Sequence, residues 1–71
     1  MPTHIELMGG EFVMIYRSER LGTVLKVFRD PDSAGVLWLV TFRPEFPNRW
    51  TELCVDANAL EELIAILHRS P

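Results

Sequence analysis

The single cysteine of this 71-residue chain is the first residue to weigh for chemistry. A thiol beside an imidazole can act as a nucleophile, and the chain has His4 and His68 as possible partners for Cys54. No spacing in the sequence requires either histidine to meet the thiol. Alternation places Cys54 on a strand with Trp50 and Glu52, where a lone cysteine is more often a small apolar residue. We therefore expect no nucleophilic site.

A second candidate for chemistry is the acidic turn that begins at Asp30. Carboxylates at Asp30 and Asp32 with a glycine at Gly35 match positions 1, 3 and 6 of a calcium-binding loop. Position 5 is Ala34, which has no side-chain oxygen, and position 12 is Thr41 where the loop needs glutamate. The pattern therefore favours a turn between strands in which an aspartate side chain bonds to the backbone.

The remaining polar patterns indicate neither an enzyme nor a cofactor site. Glu61 and Glu62 are neighbours on a helix, about 100° apart around its axis, which favours a solvated surface over an acid–base pair. The sequence has no glycine-rich phosphate loop and no metal-ligand spacing around its two histidines and one cysteine. We expect no catalytic residue, no cofactor and no metal.

The composition indicates one globular domain over residues 1–71, in which hydrophobic residues make up 48% and charged residues 24%. No apolar run approaches the roughly 18 residues of a membrane span, and the N-terminal residues lack the pattern of a signal peptide. A single cysteine cannot form an internal disulfide. These features lead us to expect a protein of the reducing cytoplasm that does not contact membranes.

The clearest predicted element is a C-terminal helix over residues 57–69. Leu60, Leu63, Ile64 and Leu67 recur at the spacing of one buried helical face. Asp56 is a good N-cap for this helix, and Asn58 is a rival start because it forms a capping box with Glu61.

The N-terminal segment has two interpretations. Gly9-Gly10 is typical of a two-residue hairpin loop, which favours residues 3–8 as a strand paired with the next one. The alternative is a short helix, because Thr3 and Glu6 also form a capping box and Gly9 suits a helix C-terminus. We favour the strand.

Alternating apolar residues between turns rich in glycine, proline and aspartate predict the other strands. Their predicted ranges are 11–16, 23–29, 36–42 and 50–55. The expected fold is α+β: an antiparallel meander sheet of four or five strands with the C-terminal helix packed on one face.

Alternation also predicts which strand residues face the helix. The helix side is expected to hold Leu25, Val27, Trp38, Val40, Phe42, Leu53 and Val55. The far face is expected to hold Val13, Ile15, Arg17, Leu37, Leu39, Thr41, Trp50, Glu52 and Cys54. This far face is about half apolar, whereas a free sheet face is normally polar.

An apolar sheet face with a charged rim is a candidate interface. Its partner is expected to be an identical chain across a two-fold axis, and another protein is a possible partner. The candidate interface residues are Val13, Ile15, Leu37, Leu39 and Trp50. The alternative is that the N-terminal hairpin or the loop over residues 44–48 folds over this face. The leading expectation is a non-enzymatic homodimer that acts through protein–protein interaction.

The alternative function is the binding of single-stranded nucleic acid. Residues 17–49 carry a local charge of +2 although the whole chain carries −3. Basic side chains interleaved with aromatic ones suit a strand whose bases stack while cations contact its phosphates. The candidate residues are Arg43, Phe46, Arg49 and Trp50. The order of four strands followed by a helix is similar to that of the whirly and transcriptional-coactivator families of single-strand-binding dimers, and this similarity covers element order only.

Overall fold

A computed structural model describes residues 3–69 of the chain. Two helices flank a run of four strands in chain order. The elements are α1 (His4–Leu7), β1 (Glu11–Ser18), β2 (Thr23–Arg29), β3 (Val36–Phe42), β4 (Trp50–Asp56) and α2 (Ala57–Arg69).

The four strands form one antiparallel sheet in the order β1-β2-β3-β4. Each strand therefore pairs with its neighbours in sequence, as a meander does, and β1 and β4 lie at the two edges. The structure confirms the α+β class and the antiparallel sheet followed by a C-terminal helix, and it decides the strand number as four.

The N-terminal segment is the helix α1, so the favoured hairpin interpretation of residues 3–8 was wrong. The Thr3 hydroxyl accepts a hydrogen bond from the Glu6 N–H at 3.3 Å, and the Glu6 carboxylate accepts one from the Thr3 N–H at 2.7 Å. Gly9 then takes φ +85°, a left-handed conformation that favours glycine. The local capping interactions thus outweigh the strand pairing that Gly9-Gly10 suggested.

The helix α1 packs on the centre of one face of the sheet, which we call the α1 face, and leaves Phe12 at its edge 53% exposed. The side chain of Ile5 is fully buried there against Phe28 and Val40, and Trp38 and Trp50 pack around these three residues. Gly10 lies directly against Ile5 as the chain leaves the helix, since its N–H donates to the Ile5 carbonyl oxygen at 2.9 Å. The main core of the protein therefore lies between α1 and the sheet.

A β-bulge in β1 changes which side chains point to the α1 face. Phe12 pairs with Phe28 and Met14 pairs with Val27, so Val13 is an extra residue with no partner of its own. Phe12 lies on the α1 face, where its ring meets that of Phe28 edge to face at 5.7 Å. The bulge then directs Met14 to the opposite face, which simple alternation from Phe12 would not do.

The predicted face of β3 was wrong. Because directly paired residues share a face, the pairing of Val27 with Leu39 and of Lys26 with Val40 assigns β3 to faces. Trp38, Val40 and Phe42 lie on the α1 face, whereas Leu37, Leu39 and Thr41 lie on the other. The strand is apolar on both sides, so the alternation of its residues does not indicate which side faces the core. The bulky side chains pack beneath α1, which the strand interpretation of residues 3–8 had left out.

The helix α2 has the predicted bounds and begins at the predicted N-cap. The Asp56 carboxylate accepts a hydrogen bond from the Ala59 N–H at 2.8 Å, and the Ala57 N–H donates to the Gly35 carbonyl oxygen at 3.1 Å. The helix contacts the edge strand β4, and Ala59 and Leu60 are half-buried. Every residue from position 61 to position 69 is exposed, so α2 is anchored by its first turn.

Candidate interaction surface

The face of the sheet opposite α1 carries an apolar row that crosses all four strands. We call it the open face. Met14, Val27, Leu39 and Leu53 are paired directly across β1, β2, β3 and β4. At the two ends of this row Met14 is 47% exposed and Leu53 is 55% exposed, whereas Val27 between them is only 6% exposed. The open face is therefore an apolar surface whose two edges the described part of the chain leaves in contact with water.

The rows on either side change the character of the open face. Tyr16 and Leu25 lie beside Thr41 and Thr51 on one side, so the surface becomes more polar there. The other flanking row runs from the Glu11–Arg29 ion pair to Leu37 and Val55. Each flanking row thus combines apolar side chains with polar or charged ones, as the rim of a protein interface does.

The apolar stripe of α2 is the second exposed surface. Leu60, Leu63, Ile64 and Leu67 share one side of the helix, as the spacing predicted. Leu63 is 49% exposed and Leu67 is 72% exposed, and only Leu60 is half-buried. The stripe therefore meets the sheet of its own chain at its first residue alone.

A cavity of about 460 Å³ lies where α2 meets the β2–β3 turn. Its wall includes Leu37 from the open face, Leu60 from α2 and the backbone around Gly35. Because Leu37 and Leu60 line the same cavity, the open face and the start of the α2 stripe are neighbours on the molecule.

The five predicted interface residues do not share a face. Leu37 and Leu39 lie on the open face, as a shared interface requires. Ile15 and Trp50 lie on the α1 face, because they pair with Lys26 and Phe42. Val13 is the unpaired residue of the bulge. The predicted far face is thus divided between the two faces of the sheet, and the segment that packs on one of them is the helix α1 rather than the predicted hairpin.

Sequence reasoning missed the residues that dominate the open face. Met14, Tyr16 and Leu53 are all exposed there, and each had been assigned to the buried side of its strand or left out. The signal that would have found them is the Thr3–Glu6 capping box, because a helix at residues 4–7 supplies a cover for the other face. With that face covered, β3 is expected to direct its bulky side chains toward α1.

The residues proposed for nucleic-acid binding are split between a loop and the core. Arg43, Phe46 and Arg49 lie in the exposed loop between β3 and β4, where the Arg49 guanidinium carbon lies 5.6 Å from the centroid of the Phe46 ring. Trp50 is half-buried against the core, and its Nε1–H donates to Glu52 at 2.9 Å. The loop therefore brings three of the four candidates together, and Trp50 serves the core.

The acidic turn after β2 is held by side-chain hydrogen bonds. One oxygen of Asp30 accepts the indole N–H of Trp38 at 2.7 Å, and the other accepts the backbone N–H of Asp32 at 3.0 Å. The bond from Trp38, followed by the bond from Asp32, lowers the pKa of the Asp30 carboxyl. Among residues 3–69, no group of three or more potential ligands could hold a metal ion.

The polar groups near α1 form contacts that fix the helix to the sheet. Glu52 accepts the backbone N–H of His4 at 2.8 Å, and the His4 Nδ1 atom lies 3.6 Å from the same carboxylate. The Lys26 ammonium group lies 3.7 Å from Glu6 and 5.7 Å from the centroid of the Phe42 ring. Cys54 is exposed on the same face, where it pairs across strands with Trp38.

Comparison of the chain with models of known protein families, with curated proteins and with solved structures gave no match. Within the part of the chain that the structure describes, no helix has the length and apolar character needed to cross a bilayer. The open face and the stripe of α2 are the two apolar surfaces that the described part of the chain presents to a partner.

Proposed function

We propose that this chain is a non-enzymatic protein-interaction domain that forms a homodimer through its open face and α2. The observation that carries the proposal is the amount of surface that one chain exposes. The accessible area is 5607 Å², whereas a monomeric protein of this mass is expected to expose about 4,500 Å². One chain thus exposes roughly 1,100 Å² more than a self-contained fold of its size.

The excess matches what a stable interface removes. A standard protein interface buries about 800 Å² on each partner. The shape supports the same conclusion, since the radius of gyration is 13.1 Å and the extents are 38 × 32 × 16 Å. A compact domain of 71 residues is expected to have a radius of gyration of about 11 Å. A second copy placed on the open face would thicken the flat molecule and cover the excess area.

The test compares the solution mass of two matched leucine variants. Leu53→Glu places a charge on the exposed apolar row of the open face, where Leu53 is 55% exposed. Leu21→Glu makes the same change in the β1–β2 turn, where Leu21 is 64% exposed. Both side chains are largely in water within one chain, so neither substitution empties the core.

Sedimentation equilibrium is expected to give twice the 8.2 kDa chain mass for the wild type and for Leu21→Glu. Leu53→Glu is expected to sediment as a folded monomer. The dimer interface would bury the new carboxylate with no opposite charge beside it, which destabilises the dimer. A monomeric wild-type chain across a hundredfold range of concentration would contradict the proposal. So would a Leu53→Glu variant that remains dimeric.

A second candidate function is the binding of single-stranded nucleic acid by the loop between β3 and β4. It is supported by the exposed Phe46 ring with the Arg49 guanidinium carbon 5.6 Å from its centroid, and by Arg43 in the same exposed loop. Binding should weaken steeply as salt rises and should fall several-fold in Phe46→Ala, because base stacking contributes about 1–3 kcal/mol per base. Trp50→Phe is the control, since Trp50 lies against the core. The absence of binding to mixed-sequence oligonucleotides at low salt would rule this function out.

A further inference from the structure

We infer that the two chains of the dimer exchange their C-terminal helices, so that α2 of each chain lies across the open face of the other. This inference rests on the proposed homodimer and specifies which surfaces meet. It follows from the two apolar surfaces that each chain leaves exposed, one on its sheet and one on its helix.

The direct connection between β4 and α2 prevents the helix from folding back over its own sheet. Connections between strands and helices usually have about 2–6 residues, whereas Asp56 ends β4 and Ala57 begins α2. No residue is left to form a turn that would bring the helix back over the open face. The bond from the Ala57 N–H to the Gly35 carbonyl oxygen fixes this exit. Beyond Leu60 the stripe therefore stays exposed and does not cover the apolar row of its own chain.

The apolar row of the open face and the apolar stripe of α2 match in length and character. The 13 residues of α2 span about 20 Å, and four strands span about 14 Å between the axes of β1 and β4. The apolar row of the open face crosses the whole width, and the stripe runs along most of the helix. A helix laid across this row would bury both surfaces at once.

Two-fold symmetry favours the same arrangement. Pairing two helices with each other would leave both open faces in water, and pairing two sheet faces would leave both stripes in water. Under a two-fold axis, the contact that α2 of one chain makes is repeated by its partner. The crosswise arrangement covers a sheet face and a helix stripe on both chains with a single kind of contact, made twice.

Disulfide trapping tests the arrangement in the full chain. In a Cys54→Ser background, Met14→Cys places a thiol on the open face at the β1 edge, and Ile64→Cys places one on the stripe. Within one chain α2 contacts β4, at the sheet edge opposite β1 and about 14 Å away. A disulfide needs Cα atoms within about 7 Å, so the pair is expected to join only between chains.

The matched control replaces Ile64→Cys by Glu62→Cys, because position 62 lies on the opposite side of α2. After mild oxidation, the Met14–Ile64 pair is expected to give a covalent dimer in at least several-fold higher yield than the Met14–Glu62 pair. A second pair, Tyr16→Cys with Leu67→Cys, places the thiols at two other exposed positions. It repeats the trapping experiment if the first variant does not fold.

The outcomes separate this inference from the proposed function. Sedimentation of the reduced variants reports whether a dimer exists, and a monomer mass would contradict the homodimer itself. A dimer mass with equal trapping at positions 62 and 64 would overturn the helix exchange and leave the dimer intact. If Ile64→Cys alone gave more covalent dimer than the Met14–Ile64 pair, the two helices would be packed against each other. That result would also overturn the helix exchange.

Discussion

Gly10 lies so close to Ile5 that a Cβ atom at position 10 would be 2.6 Å from the Ile5 Cγ1 atom and 2.9 Å from the Ile5 carbonyl oxygen. This contact links the end of α1 to the start of β1. It allows the chain to turn from the helix into the sheet while Ile5 stays fully buried.

Gly10→Ala is therefore expected to destabilise the protein by about 1–3 kcal/mol, the usual cost of adding atoms to a packed core. The free energy of unfolding, measured by urea titration, checks this value. In an Ile5→Ala background the same substitution should cost less, because the nearest atom has been removed. Equal costs in both backgrounds would contradict the contact with the Ile5 side chain and assign the cost to the Ile5 carbonyl oxygen.

Asp30 gives a prediction for the pH dependence of stability. Its pKa is lowered in the folded state, first by the Trp38 bond and then by the Asp32 bond. The ionised carboxylate therefore stabilises the fold above about pH 4, and this contribution is lost as the pH falls through the folded-state pKa.

Asp30→Asn is accordingly expected to be less stable than the wild type at pH 7, and the difference should shrink on acidification below about pH 4. Urea unfolding at both pH values measures it. Asp32→Asn is the matched control, because it removes the same charge from the same turn and leaves the acceptor of Trp38 in place. A stability difference independent of pH would argue against the bond from Trp38 as its source.

The N-cap of α2 gives a third prediction. Asp56→Ala removes the acceptor of the Ala59 N–H and is expected to cost about 1 kcal/mol of stability. Asn58→Ala, which changes the rival predicted start, should leave the stability unchanged or raise it by a few tenths of a kcal/mol, because position 58 lies within the helix and alanine is the better helix former. Thermal unfolding followed by circular dichroism would compare the two variants, and a larger loss for Asn58→Ala would reverse the assignment.

The homodimer predicts that thermal stability depends on protein concentration. Each tenfold dilution should lower the free energy of unfolding of a dimer by about 1.4 kcal/mol, so the wild-type Tm should fall. Scanning calorimetry at several concentrations measures the slope. Leu53→Glu should show no such slope, and a wild-type Tm that is constant on dilution would be inconsistent with a dimer that dissociates on unfolding.

The elements set by local interactions could be predicted from the sequence. The bounds of α2, β2 and β3 agree with the prediction, because the turn residues and the helical spacing act over a few positions. The N-cap at Asp56 was also predicted, since its side chain needs only the backbone three residues away.

The assignment of faces could not be predicted, because it depends on contacts between distant parts of the chain. Alternation in β3 gives no preference when Leu39 and Val40 are both apolar. The choice depends on Ile5, which lies 35 positions before Val40 and becomes buried only when α1 folds. The bulge at Val13 also reverses the faces of the residues that follow it in β1, which a strict alternation of faces does not predict. The open face therefore became visible only once the register was known.

The bulge at Val13 also bears on how copies of this chain assemble. An edge strand with regular spacing presents backbone groups to which another strand can add, and repeated addition leads to fibres. In β1 the extra residue interrupts that spacing between Phe12 and Met14, so an incoming strand would lose its hydrogen-bond register there. Strand-by-strand addition of further copies along this edge is thereby disfavoured, which protects the chain from fibre growth on the β1 side.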